Sequence, residues 1–183
     1  MKISEETRSI LKNFATINSG IKVGAGNQLQ TISNMKNILA TANVPETFSQ
    51  EFSIYNLVEF LGAVSLLDNP DFNFNDNSLS ISDTDTSMTY FYASEGMVIS
   101  PDKMITMPDA EIKIDLSSTL LNELQKAASV LGVNDLQLVS DGTNIKLVVT
   151  DKKNTTSNTF SRIVGEGNGV SFTMNFKIEN LKI

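Results

Sequence analysis

Apolar residues recur every three or four positions in three segments of the chain, and this spacing predicts three helices. The first covers residues about 4–18 and starts at Ser4, whose hydroxyl is a typical acceptor for the free amides of a first turn. The second covers residues 56–67, and the third covers residues about 117–131. The first helix is amphipathic, because its polar residues fall on the face opposite the apolar stripe.

Short runs between these helices alternate apolar and polar residues, or are continuously apolar, and they predict strands. Turn residues lie between the runs: Pro45 is expected to separate one strand from the next, while Asp141-Gly142 and the glycine-rich segment 165–169 are typical of hairpin turns. The predicted strands are residues 21–23, 29–32, 38–42, 48–53, 79–82, 88–92, 111–114, 136–140, 144–150, 159–164 and 170–177.

Residues 93–110 interrupt this pattern. Gly96, Pro101 and Pro108 prevent a long regular element there, although the segment stays apolar. We therefore interpret it as an ordered connector between a first domain, residues 1–92, and a second domain, residues 111–183.

The first and third predicted helices align at an offset of 110 residues, which matches Leu11 with Leu121 and Phe14 with Leu124. This alignment indicates two copies of one helix-plus-antiparallel-sheet unit, an α+β fold. Two full copies need about 220 residues. We therefore expect the second domain to be incomplete at its C-terminus.

Composition narrows the chemistry that is available. The chain has 183 residues with no Cys and no His, which excludes disulfides, thiolate or imidazole zinc sites and a Ser-His-Asp relay. A net charge of −7 disfavours a protein that binds nucleic acid over its whole surface. No apolar stretch is long enough to span a bilayer and no secretion signal is visible, so we expect no membrane partner.

Carboxylates concentrate in residues 68–85. The spacing of a calcium loop begins at Asp71, but Asp76 and Ser82 stand where that loop needs Gly and Glu. A carboxylate-based, metal-dependent hydrolase that uses Asp68, Asp71 and Asp76 would lack a neighbouring base or cation. We interpret this stretch as a solvated acidic surface and expect no metal and no cofactor.

Basic residues lie on the polar faces of the first and third predicted helices. Arg8 and Lys12 lie one turn apart on the polar face of the first helix, and Lys126 lies outside the apolar stripe of the third. A solvated helix face is the ordinary meaning of such residues. In an acidic chain, however, basic residues on equivalent helices favour a protein that admits a phosphate backbone along one path.

A family resemblance is carried by residues 11–21, LKNFATINSGI, which are similar to the first helix and turn of the DNA polymerase sliding clamp of T-even-type bacteriophages. The opening MKIS fits this family as well. So do IYNL at residues 54–57, FLG at 60–62 and SL at 65–66, which resemble its second helix, and NLK at 180–182, which resembles a segment of its second domain.

The resemblance implies the DNA clamp fold and a processivity factor that is not an enzyme. Such a protein forms a homotrimeric ring, with helices around the hole and antiparallel sheets outside. A clamp loader places the ring on duplex DNA without regard to sequence, and the ring tethers the DNA polymerase in the cytoplasm of the infected bacterial host. The alternatives left open are the carboxylate-based hydrolase and a self-assembling phage structural protein.

The resemblance also assigns residues. Lys12 and Lys182 match the family pattern and are expected to face DNA, while helix geometry adds Arg8, Lys126 and Lys177. The connector is expected to offer an apolar cleft to a polymerase or loader peptide through Val98, Ile99, Met104, Ile105 and Met107. Subunits are expected to join through the strands near Met88–Tyr92 and Thr159–Val164.

Overall fold

The computed structural model describes residues 1–101 and 109–181. It divides the chain into two compact units, Met1–Ile105 (unit 1) and Thr106–Ile183 (unit 2), each with a helix on an antiparallel sheet and a core of its own. The proposed connector boundaries stay a prediction, because residues 102–108 lie outside the described residues.

All three predicted helices are present, each shorter than predicted: α1 (Glu5–Ala15), α2 (Leu57–Val64) and α3 (Ser118–Leu131). The Ser4 cap is confirmed, since its Oγ accepts the Thr7 N–H at 3.2 Å. The matched pairs of the internal repeat are buried in both units, Leu11 with Leu121 and Phe14 with Leu124. None of the described helices is both long and apolar enough to cross a membrane.

The described part of unit 1 has three small antiparallel sheets, in which β1 pairs with β4, β2 pairs with β3, and β6 lies between β5 and β7. Helices α1 and α2 pack on each other, and α1 also packs on β3. The strands are β1 (Ile21–Val23), β2 (Gly26–Ile32), β3 (Leu39–Phe48), β4 (Phe52–Ile54), β5 (Asp71–Phe74), β6 (Ser78–Ser82) and β7 (Ser87–Phe91).

Pro45 lies inside β3, so the prediction that it separates one strand from the next is wrong, as is a single strand over residues 48–53. The register between β2 and β3 jumps from Gln28 opposite Asn43 to Gly26 opposite Phe48. The residues of β3 between these pairs bulge out of the ladder, and a proline without an N–H is tolerated at a bulge.

Part of the stretch expected to be a solvated acidic surface, Asp71–Phe74, is instead the strand β5. Phe72 is 2% exposed and packs in the core, and Phe74 packs against it. Asp71 and Asn73, which alternate with these two residues, are exposed, so β5 is a half-buried edge strand.

Unit 2 is one four-stranded antiparallel sheet in the order β10-β9-β8-β11, covered by α3. Its strands are β8 (Asp135–Asp141), β9 (Asn144–Thr150), β10 (Phe160–Glu166) and β11 (Ser171–Lys177), followed by a 3₁₀ turn, Ile178–Asn180. Residues 111–114 alternate in burial as predicted, but they form no strand, because no described ladder includes them.

The glycine-rich segment after β10 is not a hairpin turn, because β10 and β11 lie at opposite edges of the sheet. It crosses the β8–β9 turn, where Gly167 N–H donates to Thr143 O at 2.7 Å and Gly169 N–H donates to Gly142 O at 2.9 Å. A Cβ at Gly167 would overlap the carbonyl of Gly142. Two backbones meet here with no room for a side chain.

Candidate functional site

Helix α1 presents Lys12 to solvent in its last turn, and no described acidic group lies within ion-pair distance of that ammonium. Arg8, one turn earlier, is half-buried and its guanidinium pairs with Glu5 at 2.9 Å. The two residues of α1 that are predicted to face DNA therefore share one helix face, but the charge of Lys12 is the more accessible.

The N-terminus of α1 is fixed to the neighbouring strand β3 by Glu46. Its carboxylate accepts the Ser4 N–H at 2.5 Å and the hydroxyl of Thr7, which is fully buried. Burial alone would raise the pKa of Glu46, but these hydrogen bonds outweigh it and hold the pKa below its ordinary value. Sequence spacing does not reveal these contacts, because Glu46 lies 39 positions from Thr7 and 42 positions from Ser4.

The predicted lysines of unit 2 have different surroundings. Lys126 is exposed on α3. Lys177 ends β11, and its ammonium lies 2.6 Å from a carboxylate oxygen of Asp135, which is 4% exposed. This ion pair lowers the pKa of Asp135, and the same contact raises the pKa of Lys177. Lys182 lies outside the described residues.

An open cleft of about 750 Å³ lies in unit 1 beside the connector. Val98 and Ile99 line it, with Val98 half-buried and Ile99 43% exposed, and Phe52 and Tyr92 add aromatic surface. The other predicted connector residues, Met104, Ile105 and Met107, lie outside the residues that the structure describes.

Charged side chains surround this apolar surface. Lys22 pairs with Glu51 at 2.8 Å, a contact that raises the pKa of Lys22, and Lys36, Asp76 and Glu95 also line the cleft. The cleft is therefore lined mainly by polar and charged groups, with a smaller apolar part.

The two strands expected at subunit contacts are both edge strands in the described sheets. β7 pairs with β6 alone, and β10 pairs with β9 alone. At the opposite edge of the β5-β6-β7 sheet, Met1 exchanges two backbone hydrogen bonds with Phe72, each 2.7 Å. In that sheet, β7 thus offers the less covered edge.

Comparison with known proteins decides the family. Over 190 aligned residues the chain is 33% identical to the sliding clamp of Vibrio phage KVP40, and the alignment covers 100% of this chain and 86% of that protein. The chain belongs to the sliding clamp family. No model of a protein family matches the sequence.

Two further comparisons agree. The chain is 29% identical over 193 residues to the sliding clamp of Enterobacteria phage T4, covering 100% of this chain and 83% of that clamp. The fold matches PCNA of A. fulgidus, solved with a C-terminal region of FEN-1, at a TM-score of 0.64 with 10% identity, covering 99% of this chain and 79% of that one. The predicted resemblance and the clamp fold are both confirmed, and the function is that of a DNA sliding clamp.

The acidic stretch of this clamp has a structural role in the turns. The Asp83 carboxylate accepts the N–H groups of Asp68, Asp85 and Thr86 at 2.8–3.1 Å, and these bonds lower its pKa. Within residues 1–101 and 109–181, no group of three or more acidic side chains is placed to hold a metal ion. The hydrolase alternative is not favoured.

Proposed function

We propose that this clamp closes as a homotrimer around duplex DNA and holds the replicative polymerase on its template. The observation that carries the proposal is the exposed Lys12 on α1, within a protein of net charge −7. A lone ammonium attracts phosphate, keeps its water and reads no base, so it can hold a duplex that still slides.

The test is topological. Loaded with the phage clamp loader and ATP onto nicked circular DNA, the clamp should co-elute with the circle and be lost when the circle is linearised. Retention that does not differ between circle and linear DNA would contradict a ring and favour ordinary surface binding.

Ring closure is proposed to join β7 of one subunit with β10 of the next. Both are edge strands whose unpaired backbone groups would be satisfied by a neighbouring strand. A strand pair of this kind is heterologous, and it closes if the rotation per subunit is a third of a turn.

The polymerase is proposed to bind through a short tail in the cleft beside the connector, at Val98 and Ile99 with Met104, Ile105 and Met107. The apolar anchors and charged rim of the cleft support this proposal. The FEN-1 region bound to A. fulgidus PCNA is a precedent in a protein of the same fold. Changing Val98 and Ile99 to Asp together should abolish binding of a polymerase tail peptide without unfolding the clamp.

We place the protein at the replication fork in the cytoplasm of the infected host, acting without catalysis of its own. Calorimetry with Mg²⁺ and Ca²⁺ tests the enzyme alternative, since a metal-dependent hydrolase predicts tight, stoichiometric binding. A self-assembling structural protein predicts assembly without loader-dependent retention on DNA.

A further inference from the structure

The turn between α1 and β1 contains a buried amide side chain that contacts the connector. Asn18 is 6% exposed, and its Nδ2 donates to Ile32 O at 2.8 Å and to Ile99 O at 3.1 Å. Its Oδ1 accepts the Gly20 N–H at 3.1 Å. One side chain thus joins the turn after α1, the end of β2 and the connector.

Gly20 brings the same turn against the connector a second time. A Cβ there would lie 3.0 Å from the carbonyl oxygens of Ile54 and Tyr55 and 3.2 Å from Cγ1 of Val98. The turn therefore packs closely against Val98, and Asn18 donates a hydrogen bond to the carbonyl of the next residue, Ile99.

After Ala93, whose N–H donates to Ser53 O at 2.8 Å, the connector has few other attachments. Residues 94–101 belong to no helix or strand, and Met97 N–H bonds only locally, to Ser94 O. Among the hydrogen bonds between described residues, the one from Asn18 to Ile99 is the only bond that joins residues 94–101 to the rest of unit 1. Apolar contact holds a segment loosely along its length, whereas a directed hydrogen bond fixes its register.

We propose that Asn18 is a positioning residue for the partner cleft, an inference that rests on the function proposed for that cleft. By fixing the Ile99 carbonyl, Asn18 sets where the side chains of Val98 and Ile99 stand against a bound peptide. Its own side chain is buried and does not touch the partner.

Asn18→Asp is the sharpest test because it keeps the size and the acceptor for Gly20. The second oxygen then faces the carbonyls of Ile32 and Ile99, with nothing to donate. Affinity is measured by fluorescence anisotropy with a labelled peptide from the C-terminal tail of the phage's own DNA polymerase, at a temperature where every variant is folded. We expect at least tenfold weaker binding and faster hydrogen exchange in residues 94–101.

Thr7→Val is the matched control. Thr7 is also buried and lies on α1, the helix that leads into the Asn18 turn, but its hydroxyl bonds Glu46 at the far end from the connector. This variant should lower the melting temperature and leave peptide affinity unchanged. If Asn18→Asp fails to fold, Asn18→Ser removes the same donor without adding charge and takes its place.

The outcomes separate the two ideas. If the parent clamp does not bind the peptide, or binds it equally with Val98 and Ile99 changed to Asp, the proposed cleft function fails. If the parent binds there and a folded Asn18 variant binds equally well, the positioning role fails alone. If Thr7→Val weakens peptide binding as much as Asn18→Asp does, the loss of affinity reflects lower stability in general. That result would also overturn the positioning role of Asn18.

Discussion

Two basic residues on one helix face differ in how freely their charge acts. Arg8 is half-buried and paired with Glu5, while Lys12 is exposed. Lys12→Glu should therefore leave folding and assembly intact while retention on circular DNA falls. The loss should be largest at low salt, since the screening length shrinks from about 30 Å at 0.01 M to about 8 Å at 0.15 M.

Lys153→Glu makes the same charge change in the exposed loop between β9 and β10 and serves as the control. Retention assays across a salt series compare the two variants. Equal losses would mean that only net charge matters, and no loss for Lys12→Glu would remove α1 from the DNA-facing surface.

Asp141 is the residue whose protonation should affect stability most clearly. Its carboxylate accepts the Asn144 N–H at 2.8 Å, the Lys146 ammonium at 2.9 Å and the Thr143 N–H at 3.0 Å, which lower its pKa to about 2. Because the folded pKa lies below the unfolded value of about 3.9, the contribution is present above about pH 4 and is lost as pH falls toward 2.

Melting temperatures measured from pH 6 to pH 2 check this. Asp141→Asn should be less stable than the parent above pH 4 and should converge with it toward pH 2. Lys146→Gln removes one of the three hydrogen-bond donors to this carboxylate, so above pH 4 its melting temperature should lie between those of the parent and Asp141→Asn. Parallel curves for the parent and Asp141→Asn would contradict the assignment.

At the scale of elements, the sequence predicted what depends on local pattern and missed what depends on a distant partner. Helices follow from the spacing of their own residues, so α1, α2 and α3 were predictable. A strand exists only with a ladder partner, which is why residues 111–114 alternate in burial without forming one and why Pro45 fits β3 at a bulge.

The candidate site shows the same division. The exposure of Lys12 and Lys126 follows from helix periodicity and was predictable. The pairing of Lys177 with Asp135 and the burial of Asn18 were not, because the partners lie 42 and 81 residues away in sequence.

Gly167→Ala should destabilise the clamp, because the new methyl overlaps the carbonyl of Gly142 and forces the crossing segment away from the β8–β9 turn. Overpacking of this kind costs about 1–3 kcal/mol. Gly62→Ala is the matched control, since a Cβ at this exposed position in α2 meets nothing within 4 Å.

The control should shift stability in the opposite direction, by about 0.5–1 kcal/mol, as expected for replacing a glycine inside a helix. Urea unfolding of both variants measures whether each substitution lowers or raises the free energy of unfolding. A neutral Gly167→Ala would show that the crossing segment moves aside without cost.

For the whole molecule, light scattering should give about 60 kDa, three times the 20.0 kDa chain mass, if the ring forms. Phe91→Lys places a charge on β7 at a side chain that is 69% exposed, and it should shift the mass toward monomer without changing the circular dichroism spectrum. Tyr55→Lys, at an aromatic side chain that is 59% exposed and lies outside β7, is the control. A parent that stays monomeric at high concentration would contradict the ring.

The crossing of the β8–β9 turn also bears on the order in which unit 2 is assembled. Where β8 pairs with β9, the partners Ser140 and Ile145 are 5 residues apart in sequence. Where β8 pairs with β11, the partners Asp141 and Ser171 are 30 residues apart. Short loops close first, so the β8–β9 hairpin forms early and the crossing segment can only be laid over it afterwards. On the ribosome, the outer edge of β8 therefore stays unpaired until β11 has emerged, and a newly made chain is most exposed to pairing with its neighbours during that interval.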